Sequence, residues 1–395
     1  MLTVGELGGL VAVVAVAMVG TASLALAETG HHDGWLAIAL GLAATCLLAG
    51  VAWRSDRRPV VSTDKAEIAL VAAAGVAAAF FFLPGFPYAS ADKDPGIYVS
   101  HAFAIAREGD TAIPDAVLEQ ELDPNIVNGA RFPGIWLDPD DPEVVTPQFY
   151  HLYPATLATA DDVVGSPGVF HLTPVLAALS VCLLVLAVRR AANTVTALVF
   201  GALLVTSMIQ VWQAKYPSTE VLAQLLLAGS LLGGVLAIEA RWAGGAFCAG
   251  LLLGVGFLAR PDGFLYVLLA AAVVGVAVAA RRFDRRSVML GAGLALTFPY
   301  AAVNAYDRAA TYTDSNDVPG AATLVAAVAL IVLSGFVARG LVGVVDSRRG
   351  PADREAPAGG VLLGRLGRWQ VPIGALASVI TGLGLVVLWH RERLF

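Results

Sequence analysis

The stretch Asp92-Lys93-Asp94-Pro95-Gly96-Ile97-Tyr98 sets two carboxylates on either side of a lysine, shortly after a long apolar run. A carboxylate there can take a proton from an acceptor hydroxyl while that hydroxyl attacks. The same pair could hold a divalent metal, because hard cations take oxygen ligands. The plainer alternative is a polar helix cap with a turn at Pro95-Gly96. Two other clusters invite a metal and are read otherwise. His31-His32-Asp33 lies in a short connection, where adjacent histidines on a helix point apart. Asp138, Asp140, Asp141 and Glu143 could take calcium, but Pro139, Pro142 and the lack of a loop glycine argue against an EF-hand.

Membrane helices must position these groups. Of 395 residues, 57% are hydrophobic and 14% charged, with mean hydropathy +0.74; a soluble domain carries about a quarter charged residues. Apolar runs at 4–27, 35–53, 67–83, 168–188, 194–212, 220–238, 243–259, 263–280, 287–304, 320–338 and 370–389 each approach the roughly twenty residues that cross a hydrocarbon core. The expected fold is all-α, a polytopic transmembrane helical bundle of about eleven spans. Ala25-Leu26-Ala27 looks like a signal-peptide cleavage site, but no basic residue precedes the run, so it is read as a span. Cys46, Cys182 and Cys248 fall inside apolar runs and read as buried hydrophobes. With the N-terminus in the cytoplasm, 17 of the 25 basic residues fall on inner connections, the orientation the positive-inside rule favours.

Four parts are expected. Residues 1–66 form two additional N-terminal spans; 67–338 form a core with a large extracytoplasmic loop at 84–167; 339–369 is a Gly-, Pro- and Arg-rich cytoplasmic linker; 370–395 is a last span and short tail, with no soluble terminal domain after it. The loop holds fourteen acidic and three basic residues, and a loop of that length inside a compact protein is usually functional. Tyr98 to Glu108 has Val99, Phe103 and Ala106 on one stripe, which predicts an amphipathic helix on the membrane surface, stopped by Gly109. A second surface helix is expected after Pro147, through His151 to Ala160, with an irregular Pro- and Asp-rich segment between.

The run DKDPGIYVSHAFAIAREGD resembles the first outer loop of C-type (GT-C) glycosyltransferases, multi-span enzymes that include protein O-mannosyltransferases and aminoarabinose transferases. Asp94, Tyr98, Arg107 and Gly109 carry that resemblance. Thr146-Pro147-Gln148-Phe149-Tyr150-His151-Leu152 is similar to the family's lysine-proline-proline-aromatic stretch. Thr146 and Gln148 depart from it, leaving His151 or Arg131 to replace the lysine. Lys215-Tyr216-Pro217-Ser218-Thr219-Glu220 and Arg260-Pro261-Asp262 fall in the next two outer loops.

The resemblance implies sugar transfer from a polyprenyl-phosphate-linked donor to a glycan, lipid or protein acceptor outside the cell membrane. Asp94 would be the base of an inverting transfer, assisted by Asp92 and Glu220, which could also hold a divalent metal. Arg260, with Lys93 or Lys215, would neutralise the departing phosphate. Tyr98, Tyr150, His151, Tyr216, Asp262 and Arg131 would contact substrate; membrane lipids are partners and nucleic acid is not. The residues also admit structural roles. Glu220 could cap a helix, Arg260 could snorkel, and Tyr150 and His151 could anchor a helix among headgroups. A transporter or flippase, or an inactive shortened relative, is the alternative. A transporter predicts ionisable residues in mid-span and interrupted helices in matching halves.

Overall fold

All ten expected runs before residue 340 fold as helices. The computed structural model describes residues 1–55, 59–89, 93–114, 131–132, 134–137 and 144–348, with backbone only at 114, 131–132, 135–137, 144, 146 and 341–348. Asp92, the run from Asp138 to Glu143 and the expected span 370–389 lie outside the described residues.

The first three helices are α1 (Val4–Ala27), α2 (Gly34–Arg54) and α3 (Lys65–Phe82). Two shorter helices follow, α4 (Asp94–Glu108) and α5 (Leu152–Val164). Then come α6 (Ser166–Ala191), α7 (Thr194–Thr206), α8 (Met208–Lys215), α9 (Thr219–Glu239) and α10 (Ala243–Ala259). The last four are α11 (Phe264–Ala279), α12 (Arg285–Val303), α13 (Ala310–Ser315) and α14 (Ala321–Arg348). Eight helices among the described residues are long and apolar enough to cross a membrane; α7 and α8, bent by 62°, make a ninth if they count as one broken span. The protein is a multi-pass, nearly all-α membrane protein. At seventeen residues, α10 is shorter than these spans.

Several helix starts are written locally. Thr3 and Glu6 form a reciprocal capping box on α1. Asp33, Asp64 and Asp284 accept backbone N–H bonds at the starts of α2, α3 and α12, satisfying donors a helix leaves unpaired.

The helices alternate in direction, giving the bundle two unlike ends. Arg54, Arg189, Arg190, Arg241, Arg281 and Arg286 lie at one, the basic end. There Arg189 pairs with Asp64 and, at 2.6 Å, with Glu67, while Arg190 reaches Glu6 at 3.3 Å. Glu6 and Glu67 are fully buried, and Thr3 donates to Glu67 at 2.5 Å. The parallel pairing of β1 (Leu2–Thr3) with β2 (Val61–Ser62) ties the same region. These contacts knit α1, α3 and α6 together, so the N-terminal spans are part of the bundle.

At the centre stands α10, buried along its whole length. A methyl group on Gly250 would stand 2.0 Å from the Leu290 carbonyl oxygen, and one on Gly293 2.1 Å from that of Phe247. The backbones of α10 and α12 therefore touch. In lipid, close packing of small residues replaces the drive that water gives a soluble core.

Two surface-helix expectations change in detail. Helix α4 begins at Asp94, with Pro95 in its first turn, and ends at Gly109 with φ 79°. It buries Tyr98, Val99, Ala102 and Ile105 against α5, so Phe103 and Ala106 are only partly buried. Its apolar face meets protein rather than lipid alone. Helix α5 starts at Leu152 and runs past Ala160 to Val164. Between them stands a small antiparallel sheet, β3 (Ile113–Pro114), β6 (Val144–Pro147), β5 (Ile135–Leu137) and β4 (Arg131–Phe132), in that order. Its strands are too short for a readable alternation. Finally, α14 continues to Arg348, into the segment read as linker from 339.

Candidate active site

Opposite the basic end, Arg260 stands in the sharp connection between α10 and α11. Its backbone is extended, and a single 3-10 turn, Pro261–Gly263, follows. The guanidinium meets Glu220 at 2.6 Å and Asp262 at 2.8 Å. Glu220 occupies the first turn of α9, and the Thr219 hydroxyl beside it donates to the Ala259 carbonyl at 3.0 Å. That bond fixes the start of α9 against the end of α10. Burial lowers the Arg260 pKa, and the Asp262 and Glu220 carboxylates more than reverse this, so its net shift is upward and the cation is secure.

Beneath this pair lies an aromatic floor. Tyr98 stacks on Phe149 with centroids 4.5 Å apart and meets Tyr153 edge-on at 5.3 Å. Phe149 and Tyr150 both meet Tyr312 edge-on, at 5.4 and 5.9 Å. The Tyr150 hydroxyl bonds Thr313 at 2.9 Å, and that of Tyr153 bonds Thr173 at 2.5 Å. Burial pushes the pKa of the Tyr98 and Tyr312 phenols upward; both also feel the Asp94 and Glu220 carboxylates and the Arg260 guanidinium. Tyr98 stands one turn along α4 from Asp94, and both phenols lie within electrostatic reach of the Glu220–Arg260 pair. Asp94, Glu220 and Arg260, far apart in sequence, thus converge at one end of the bundle. Asp94 is exposed in the first turn of α4, where a carboxylate complements the helix dipole.

Other expected contacts fall elsewhere. Tyr98 and Tyr150 are buried in the floor, 5% and 2% exposed, and support the site rather than present themselves to substrate. His151 is also buried, edge-on to His101 at 5.0 Å, and does not present a cation to a phosphate. Burial pulls the pKa of His151 down to about 4 and that of His101 well below normal. Lys215 donates to the Leu83 carbonyl at 3.4 Å and lies over the Phe86 ring, while Tyr216 stacks on Trp212. Lys93 is exposed beside Asp94. The backbone of Arg131 pairs with Trp136, and Asp92 is outside the described residues.

Among the described residues, no three His, Cys, Asp or Glu side chains gather as a metal-ligand set. Glu220, one of the expected ligands, already carries the Arg260 cation. Asp92, another of them, lies outside the described residues.

Tyr312 is the residue that sequence reasoning missed. It lies on α13, after a π-helical turn, Asn304–Arg308, in a segment read only as a short outer connection. Nothing in its spacing marks it; π turns are, however, frequent at functional sites.

A second constellation looks catalytic and is not. His32 Nε2 lies 3.0 Å from Ser23 Oγ, and Nδ1 lies 3.5 Å from Asp162. Yet Ser23 is fully buried and its hydroxyl donates to the Ala155 carbonyl at 2.6 Å. A nucleophile needs an exposed oxygen and a base to take its proton. The trio instead straps the α1–α2 connection onto α5. His31 turns away to the Thr29 carbonyl.

Compared with protein-family models, curated proteins and solved structures, the chain matches none of them.

Proposed function

We propose that this protein is a membrane glycosyltransferase that moves a sugar from a polyprenyl-phosphate-linked donor to a hydroxyl acceptor on the extracytoplasmic side. The observation that carries the reading is the convergence of Asp94, Glu220 and Arg260 above an aromatic floor at one end of the bundle. Asp94 is an exposed carboxylate with no ion pair to Arg260, and it takes the acceptor proton as the acceptor oxygen attacks the anomeric carbon. The bond from that carbon to the phosphate oxygen breaks, with inversion. Arg260 meets the negative charge that develops on the leaving phosphate, where a fixed donor is worth most. Glu220 and Asp262 hold the guanidinium in place before the substrate arrives. The basic end faces the cytoplasm of the cell membrane under the positive-inside rule, and the acceptor is a glycan, lipid or protein.

One observation favours a transporter or flippase: the 62° break between α7 and α8, since interrupted helices line many transport sites. Against it, this is the one such pair among the described residues, and the buried charged groups Glu6 and Glu67 sit at helix ends rather than in mid-span. Purified protein supplied with a polyprenyl-phosphate sugar and an acceptor distinguishes the two. Transfer in detergent, lost by 100-fold or more in Asp94→Asn, supports the enzyme. Flux across vesicles without transfer supports the rival, and undiminished transfer in a folded Asp94→Asn removes Asp94 from the mechanism.

A further inference from the structure

At the basic end, far from Arg260, an apolar cleft opens between α1, α2 and α10. Leu10, Val14, Phe247 and Leu251 form its wall, and Trp53 and Trp242 stand at its end. Val11, at the mouth, is 45% exposed, so the cleft opens to the surroundings of the bundle. In a membrane those surroundings are acyl chains.

Two features show that more than a chain is expected there. Trp242 is 5% exposed, yet its indole N–H has no hydrogen-bond partner among the described residues. A buried donor left unpaired is costly, and buried Trp N–H groups normally find an acceptor. Its ring lies over Gly244, where a methyl group would stand 2.5 Å from the ring carbons. The ring is held at the cleft rather than free to turn to water. Each tryptophan also has an arginine next to it in the chain: Arg54 follows Trp53 and Arg241 precedes Trp242. Both arginines are exposed. Among the described residues neither is ion-paired; Arg281, Arg282 and Arg285 at the same end share this, while Arg189, Arg190 and Arg286 are paired.

We infer that this cleft is a binding site for an anionic glycerophospholipid of the leaflet at the basic end. One acyl chain fills the space between α1, α2 and α10. The Trp242 N–H donates to an ester carbonyl or phosphate oxygen. Arg54 and Arg241 face the phosphate at the level where tryptophans and basic residues lie in membrane proteins. The site is independent of the sugar-transfer reading.

The test uses the full chain in phosphatidylcholine vesicles containing phosphatidylglycerol, with dibrominated acyl chains on one lipid or the other. Bromine quenches nearby tryptophan, and the difference between wild type and Trp242→Phe isolates the Trp242 signal. Phosphatidylglycerol is expected to quench that signal at lower mole fraction than phosphatidylcholine. The exposed double variant Arg54→Gln/Arg241→Gln should weaken the preference about thirty-fold, from roughly five-fold per arginine beside an anionic headgroup. Val11→Phe, which narrows the exposed mouth, should reduce quenching by both lipids. Equal quenching by the two lipids in wild type, or a preference that survives the double arginine variant, overturns the proposal. Unchanged quenching in Val11→Phe also overturns it, because the seat would then be elsewhere.

Discussion

Replacing Arg260 by glutamine separates a structural role from a catalytic one. The guanidinium holds Glu220 at 2.6 Å and Asp262 at 2.8 Å, but those carboxylates are 48% and 52% exposed. Both remain solvated when the cation leaves. Pairs of that exposure contribute about 0–1 kcal/mol each, with screening already counted. The unfolding midpoint in detergent should therefore fall by only a few degrees. Activity should respond differently. Removing a donor aimed at developing charge costs about 100- to 1000-fold in kcat, or roughly 2.7–4 kcal/mol. Glu220→Gln leaves Arg260 charged and bound to Asp262, so its loss should be smaller, about tenfold or less. The double variant should be no worse than Arg260→Gln alone, since Glu220 acts through Arg260. The assay is transfer from a short-chain polyprenyl-phosphate sugar, with the midpoint measured on the same preparations. A kcat within tenfold of wild type would refute a leaving-group role. A collapsed midpoint would instead make the pair a structural element.

Three other outcomes follow from the fold. Arg189→Met strands the buried Glu67 carboxylate and should cost about 3–5 kcal/mol; adding Glu67→Gln should recover most of it, and equal midpoints for the single and double variants would contradict this. Gly250→Ala forces α10 away from the Leu290 carbonyl and should cost about 1–3 kcal/mol, read as a lower midpoint, whereas Gly291→Ala, which meets nothing within 4 Å, should be neutral. His151 gives a pH dependence: its folded pKa of about 4 lies below the unfolded value of about 6.5, so the unfolded chain takes up the proton first as pH falls. Stability is full above pH ~6.5 and declines toward pH ~4, by about 2 kcal/mol at pH 5 for this residue alone; His151→Gln should flatten the midpoint profile between neutral pH and pH 5.

Much of this architecture was legible because lipid imposes a simple rule on sequence. Any chain crossing it must satisfy its backbone internally and present apolar side chains, so α1, α2, α3, α6 and α9 fall within a few residues of the apolar runs. The helix starts at Asp33, Asp64 and Asp284 were also local. The broken span was not, since 194–212 reads as continuous hydropathy and the bend comes at Ser207. Glu220 and Arg260 were found through their loops, and their pairing is a tertiary fact that spacing cannot encode. Tyr312 and the burial of Tyr98, Tyr150 and His151 were invisible for a related reason. An aromatic residue near a membrane surface looks the same in sequence whether it faces lipid, substrate or another ring.

Helix α10 has one more consequence. Seventeen residues rise about 25 Å, short of the ~30 Å hydrocarbon layer, whereas α9 and α1, which pack against it, have 21 and 24 residues. A rod solvated wholly by protein has no bilayer thickness to match, so its tip can be countersunk below the rims of its neighbours. Arg260 sits at that tip. The guanidinium can then lie below the surface of the bundle while the carboxylates that grip it, Glu220 and Asp262, still reach water.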